Sequence, residues 1–448
     1  MRLAPRNLVS LAGVAVATAM AVLFLMLAGL EFFGYLTNPY IGLLVFVAVP
    51  TLFVVGLLLI PAGAWWAKRR RVPGGQAAEW PVIDLRGARQ RTILFVVFTL
   101  TVVNLAIVSL AAYGGVHYME SSEFCGQVCH TTMEPQYVAH QNSPHARVEC
   151  VQCHIGPGAG AFVEAKLAGA RQLAHVITGT IPRPVPSPLE LIRPARDTCE
   201  QCHWPEKVSG DLVREIREYS DDEKNTETVT TLQMHVGGGS TAAGGARGIH
   251  WHADPDNQIE FVTTDPKGET VPYIRVTGRE GGVREYFAEG VTFGQVPAGT
   301  RRRMDCMDCH NRPAHVIQPS PGRAIDIVMG QGRIPRELPF VRREAVKAVG
   351  QTWADAATAR AGIDQRLRAF YLELGADERL VTRAVTATQG VWAQNVFPAM
   401  KVTWGTYPNQ IGHVDAPGCF RCHDDSHKTR EGRAISQDCE LCHVMPGN

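Results

Sequence analysis

Apolar residues crowd into the first 116 residues of this 448-residue chain, in three runs without a charged side chain, at about 8–30, 41–67 and 92–116. A helix crosses the hydrocarbon core of a bilayer in roughly 20 residues, so each run predicts a transmembrane helix. A cleaved signal peptide has an apolar stretch of only about 7–15 residues, and the first run is longer. Charge orients the bundle. The loop between the second and third runs carries Lys68, Arg69, Arg70, Arg71, Arg86, Arg89 and Arg91 against only Glu79 and Asp84. Such a loop belongs on the cytoplasmic side. Arg2 and Arg6 then lie inside, the turn near Thr37, Asn38 and Pro39 faces out, and the third helix emerges on the outer face.

The pattern changes after residue 116. Residues 159–177 predict a short amphipathic helix, and the strip holding Pro182, Pro184, Pro186, Pro188 and Pro194 predicts an extended spacer. Segments 259–264, 271–277 and 283–288 are rich in Val, Ile, Tyr, Phe and Thr and are separated by turn residues, which predicts a small β-meander. The glycine-rich strip 237–248 is read as a loop, because no strand–loop–helix context supports a phosphate-binding reading. Residues 339–397 predict helix, with good helix formers and several Arg–Glu pairs. The expected fold is mainly α and irregular, with an N-terminal three-helix transmembrane bundle and a small β-rich insert. The expected regions are 1–116, 117–210, 211–300 and 301–448.

The cysteines decide the chemistry. All twelve fall into six pairs, each followed directly by histidine: Cys125/Cys129–His130, Cys150/Cys153–His154, Cys199/Cys202–His203, Cys306/Cys309–His310, Cys419/Cys422–His423 and Cys439/Cys442–His443. Five read C-x-x-C-H; the first, CGQVCH, has one extra residue. C-x-x-C-H is the attachment signature of c-type haem: two thiols add to the vinyl groups of one porphyrin, and the adjacent histidine becomes an axial ligand of its iron. Zinc sites need no histidine fixed after every pair, and disulfides would leave the histidines unexplained. Six covalent haems are therefore expected. Their attachment on the outer face of the membrane agrees with the topology read from the charges. So many porphyrins would form much of the core of the region after residue 116. Charge is nearly balanced, 44 Lys+Arg against 43 Asp+Glu, and suggests no nucleic-acid partner.

Sixteen histidines are present, and ten lie outside the motifs: His117, His140, His145, His175, His235, His250, His252, His315, His413 and His427. An iron that only carries electrons wants both axial sites filled. His145, His315, His413 and His427 lie near motifs in polar, non-periodic stretches and are the expected second ligands; His235 and one of His250 or His252 could supply others.

The third apolar run, followed by EFCGQVCHTTMEPQY, SPHARVECVQCHIGPGA and RPARDTCEQCHWPEK, resembles the NapC/NirT family of membrane-anchored quinol dehydrogenases, above all the larger inner-membrane members of metal-reducing bacteria. The resemblance is specific over about residues 109–207 and looser over CMDCHNRPAH, CFRCHDDSHK and DCELCH. It implies a haem domain held against the bilayer, with menaquinol or another quinol oxidised beside the first haem. It also implies electrons passed from the membrane quinol pool to periplasmic or outer-membrane cytochromes or a terminal reductase. Members of the family often ligate the first haem through a methionine just after the motif. Met133 is the counterpart, one residue further on, so His130 or Met133 is the ligand. The family's quinol-site lysine falls on Lys166, and Glu164 is the nearest acid. Glu120, Glu123, Glu134, Glu164 and Lys166 are the candidates to take the quinol protons. Three apolar runs and six motifs, where simple members have one and four, set this chain apart. Two other functions fit the motifs: an electron-transfer subunit fed by a partner dehydrogenase, and a terminal reductase of a small oxyanion.

Overall fold

The computed structural model describes residues 8–32, 44–69, 86–128, 130–155, 159–187, 195–204, 210–237, 248–278 and 280–445. Contacts divide the chain into two units, Met1–Cys129 and His130–Asn448.

The first unit holds the apolar runs as helices α1 (Leu8–Phe32), α2 (Val49–Arg69, entered through a π-helical turn at Leu44–Ala48) and α3 (Ala88–Glu120). Within them, Val9–Leu30, Leu44–Trp66 and Phe98–Glu120 are long and apolar enough to cross a membrane. In lipid the helices gain little from hiding apolar surface from one another, so small residues that allow close approach carry the packing. A Cβ on Gly13 would stand 2.7 Å from the carbonyl oxygen of Gly56, and one on Gly56 would stand 2.7 Å from the amide nitrogen of Ala17. Ser10 Oγ donates to the carbonyl of Ile60 at 2.9 Å. Gly114 gives Phe46 its place: a Cβ there would lie 2.7 Å from the Phe46 ring. Thr37, Asn38, Pro39, Arg70, Arg71, Glu79 and Asp84, which enter the charge argument, lie outside the described residues.

Helix α3 runs on beyond the apolar run, which ends at residue 116, to Glu120, a further turn of helix before the first motif. Ser121 ends it: its Oγ accepts from the Phe124 amide at 3.1 Å, and the π-helical turn Phe124–Val128 carries Cys125.

The second unit opens with α4 (His130–Gln141), α5 (Cys150–His154), α6 (Ala159–Thr178) and α7 (Ala195–Cys199). A hairpin follows, β1 (Leu212–Tyr219) and β2 (Glu227–Met234), paired from Leu212↔Met234 to Tyr219↔Glu227. A 3₁₀ turn at Gly248–Ala253 leads into a four-stranded antiparallel sheet. Its strands are β3 (Gln258–Thr263), β4 (Tyr273–Thr277), β5 (Val283–Phe287) and β6 (Thr300–Arg303), in the order β5-β4-β3-β6. Three of these are the meander expected from sequence; β6 adds a further edge. Ten residues of the glycine-rich strip, 238–247, lie outside the described residues.

After the short helix α8 (Cys306–Cys309) come α9 (Pro321–Gly330), α10 (Val341–Val349), α11 (Ala356–Glu373) and α12 (Glu378–Asn395). Three of their starts are fixed by side-chain caps: Ser320 accepts from the Arg323 amide, Asp355 and Thr358 form a capping box, and Asp377 accepts from the Arg379 amide. These four helices bury Ile325, Ile334, Val341, Ile363, Leu367, Tyr371, Val385 and Trp392 in one cluster. Residues 316–412 contain no cysteine and no histidine, so this lobe has a core of its own, apart from the haem motifs. A two-residue strand, β7 (His443–Val444), pairs with β2.

Candidate haem-binding site

The motif histidines are short-range products of the chain: α5 and α8 are single turns that place His154 and His310 at or just past their C-terminal ends. Asp305 starts α8, accepting from the Met307 amide and forming a capping box with Asp308.

Among the described residues, five motif histidines face a second imidazole. Ring centres are 6.1 Å apart for His154 and His315, 6.0 Å for His203 and His145, and 6.4 Å for His310 and His250. They are 5.9 Å apart for His423 and His252, and 6.2 Å for His443 and His413. A first-row metal holds an imidazole nitrogen at roughly 2 Å, and that nitrogen lies roughly 1 Å from its own ring centre given ring bond lengths. Two imidazoles on opposite sides of one metal therefore have centres roughly 6 Å apart, and the five pairs fit one iron each.

Hydrogen bonding agrees. Ligand imidazoles usually spend one ring nitrogen on a backbone carbonyl or carboxylate and offer the other to the metal. Nδ1 lies against the carbonyl of Gln136 in His315 (3.0 Å), of Ile249 in His252 (2.8 Å), of Ser436 in His423 (2.8 Å) and of Pro313 in His145 (3.3 Å). Nδ1 of His250 and of His443 is buried with no protein partner. Burial pushes the pKa of His154, His310 and His252 down and that of His315 to about 3. These rings are thus held neutral, the form that binds metal.

Successive motifs are also neighbours. Helices α5 and α7 touch, as do α7 and α8. The amide of Ala195 donates to Asp305 Oδ2 at 3.2 Å, and the thiols of Cys199 and Cys306 interact directly. Cys153 feels Cys202, Cys309 feels Cys419, Cys422 feels Cys309, and Cys442 feels Cys419. Arg421 Nη2 donates to the carbonyl of Asp308 at 2.6 Å. The second to sixth motifs therefore adjoin one another in chain order.

Other expected residues are placed differently. His427, expected as a second ligand, is buried with both nitrogens engaged: Nδ1 meets Asp424 Oδ1 at 2.8 Å and Nε2 the carbonyl of Val271 at 2.6 Å. His235 sits at the end of β2 with Nδ1 at 3.1 Å from Asp211 Oδ1. It faces no motif histidine among the described residues. His140 stands 6.2 Å from His315, with Nε2 at 2.9 Å from the carbonyl of Val148 and Nδ1 buried with no protein partner; it faces no motif histidine among the described residues. Met133 and Glu134 lie on α4, and Glu164 and the backbone of Lys166 on α6; Glu134 and Glu164 are exposed. Cys129 and the side chains of His130 and Lys166 lie outside the described residues.

One ligand is expected from the pair His250 and His252; the structure sets both opposite motif histidines. A local signal existed, two histidines flanking a tryptophan in an otherwise small-residue segment, but their distance from any motif along the chain hid it.

Residues 88–185 match the family model described as NapC/NirT cytochrome c family, N-terminal region. The chain is also 39% identical over 452 aligned residues to the cytochrome c-type protein ImcH of Geobacter sulfurreducens, across 98% of this chain and 88% of that protein. The chain belongs to the NapC/NirT cytochrome c family. No solved structure matches it. Membership implies covalently bound haem c and a role in electron transfer, and with three candidate spans it makes this an inner-membrane protein.

Proposed function

We propose that the protein oxidises quinol drawn from the cytoplasmic membrane. It passes the electrons through six covalently bound c-type haems to a periplasmic or outer-membrane cytochrome or a terminal reductase. The observation that carries the multihaem reading is the second imidazole standing about 6 Å from each of five motif histidines. With both axial positions filled by protein, an iron exchanges electrons and leaves no place for a small molecule. This favours a carrier over a reductase of a small oxyanion.

Bound haem c supplies the one-electron iron chemistry. The chain's part is to attach, orient and insulate. The six cysteine pairs would hold the porphyrins; His315, His145 and His413 would complete the second, third and sixth sites. Carbonyl bonds to Nδ1 of His315 and His145 fix which nitrogen points inward. The neighbouring motifs support an electron path in the order of the motifs. The haem domain is assigned to the periplasmic side, on the strength of the charge pattern and the chemistry of c-type attachment.

The quinol part rests on the family and on the membrane unit. An apolar cleft among α1, α2 and α3 is lined by Phe24, Phe46, Pro50, Phe53, Ile107, Ala111 and Met119. Its one hydroxyl, that of Thr51, already donates to the carbonyl of Val47 at 2.6 Å. Such a wall suits an isoprenoid chain, and Met119 lies six residues before Cys125. Lys166 would hydrogen-bond a quinol oxygen and stabilise its developing charge, and Glu134 or Glu164 would take a proton.

The test is reduction of the purified protein by a menaquinol analogue. Lys166→Ala is expected to slow it at least about tenfold, some 1.4 kcal/mol of barrier, while reduction by dithionite is unchanged. A parental rate in the variant removes Lys166 from the site. Failure of the parent to accept electrons from any quinol favours a subunit fed by a partner dehydrogenase.

A further inference from the structure

The 3₁₀ turn Gly248–Ala253 carries histidines at two positions with one residue between them, His250 and His252. On a 3₁₀ helix, with three residues per turn, such side chains project about 120° apart, so they cannot approach one metal from the same side. They diverge onto two motif histidines: His250 lies 6.4 Å from His310 with the rings 11° from parallel, and His252 lies 5.9 Å from His423 with the rings 73° apart.

We propose that this turn clamps two irons: His250 is the second axial ligand of the haem attached at Cys306 and Cys309, and His252 that of the haem attached at Cys419 and Cys422. The proposal rests on the haem binding argued above and goes beyond it. It gives the segment between the third and fourth motifs a function, as the source of ligands for the two haems that follow it.

The turn is built to hold position. Gly248 has φ +63°, and a Cβ there would lie 2.3 Å from the carbonyl of His235, so only glycine fits. The amides of Ile249 and His250 donate to the carbonyls of His235 and Val236 at 2.9 and 3.1 Å, tying the turn to the end of β2. Asn257 Nδ2 donates to the carbonyl of Trp251 at 3.0 Å, and Arg196, on the helix of the third motif, donates to that of Ala253. Trp251 packs on the core of the four-stranded sheet. Ligands whose rotamers are locked by such support hold a metal in a defined geometry. Because two residues of one rigid turn serve both irons, the fourth and fifth haems are a fixed pair, and a change at one is felt at the other.

The experiment replaces each histidine by methionine in the full-length, haem-loaded protein: His250→Met, His252→Met and the double variant, with His175→Met as control. Haem content is counted by mass in every case. Each single variant is expected to add one haem's worth of the long-wavelength sulfur-to-iron charge-transfer band, the double variant two, and the control none. Methionine ligation also raises the potential of the haem that receives it. Near-perpendicular imidazole planes give a strongly anisotropic low-spin EPR signal and near-parallel planes a rhombic one. His252→Met should therefore remove one signal of the first kind, and His250→Met one of the second. Should a methionine variant not accumulate, alanine at the same position opens the site, and added imidazole should return one haem from high spin to low spin. Retention of all bis-histidine signals in either single variant, or a double variant that alters no more haems than one single, overturns the clamp. A parent that carries no covalent haem overturns the haem reading itself.

Discussion

A histidine's role in this protein follows from which of its nitrogens the protein already occupies. His252 spends Nδ1 on the carbonyl of Ile249 and keeps Nε2 for another partner. His427 spends both, on Asp424 and Val271, and is a brace between the fifth motif and the four-stranded sheet. His427→Ala is therefore expected to leave the spin state of every haem unchanged while removing about 1–3 kcal/mol of stability, the cost of stranding buried polar partners. Optical and EPR spectra beside a thermal melt separate the two effects; a new high-spin haem would make His427 a ligand after all. The residue scale also marks where sequence reading stops. Motif cysteines and histidines are legible because covalent attachment fixes their spacing. His145, His315 and His413, each facing a motif histidine, stand out in the sequence because they sit near motifs. His252 and His427 are separated only by contacts across the fold: the turn of His252 sits beside His423, whereas His427 meets the carbonyl of Val271 just before β4.

At the scale of elements, apolar runs and the β-meander announce themselves because burial imposes a period on the sequence. The hairpin β1–β2 does not. Its first strand reads Leu-Val-Arg-Glu-Ile-Arg-Glu-Tyr and is mostly exposed, so no apolar alternation marks it. Its place is set instead by a polar junction with the helical lobe. Glu227 receives hydrogen bonds from Arg217, Arg336 and the hydroxyl of Tyr219, and Asn225 donates to the carbonyls of Arg336 and Leu338. The hydrogen bonds from Arg217 and Arg336 hold the Glu227 carboxyl down at about 2, below the unfolded value of about 4.3. A depressed carboxylate contributes stability above its unfolded pKa and loses it as pH falls towards the folded one. The junction should thus weaken between about pH 4 and pH 2, by no more than about 1 kcal/mol given its exposure. Glu227→Gln should flatten that part of the melting temperature's dependence on pH; an unchanged acid profile would remove Glu227 from the account.

At the scale of the whole molecule, the second unit divides its labour. The second to sixth motifs adjoin one another in chain order, while the lobe of α9 to α12 keeps an apolar core free of cysteine and histidine. The expectation that porphyrins form much of the core therefore does not extend to this lobe, because its helices bury one another. Mass spectrometry of the mature protein should show the polypeptide plus six haem masses that resist acid-acetone extraction. A count of five would point to CGQVCH, whose longer spacer sets it apart.

Strand β7 carries a consequence in time. Met234 of β2 pairs with His443, and the amide of His235 donates to the carbonyl of Cys442 at 2.7 Å. More than 200 residues separate the two partners along the chain, so β2 keeps a bare edge until that distant pairing forms. An unpaired strand edge invites the wrong partner, and contacts that span so much chain form slowly. The pairing of β7 with β2 is thus a latch: until it closes, the sheet β1-β2-β7 is unfinished and the edge of β2 stays open.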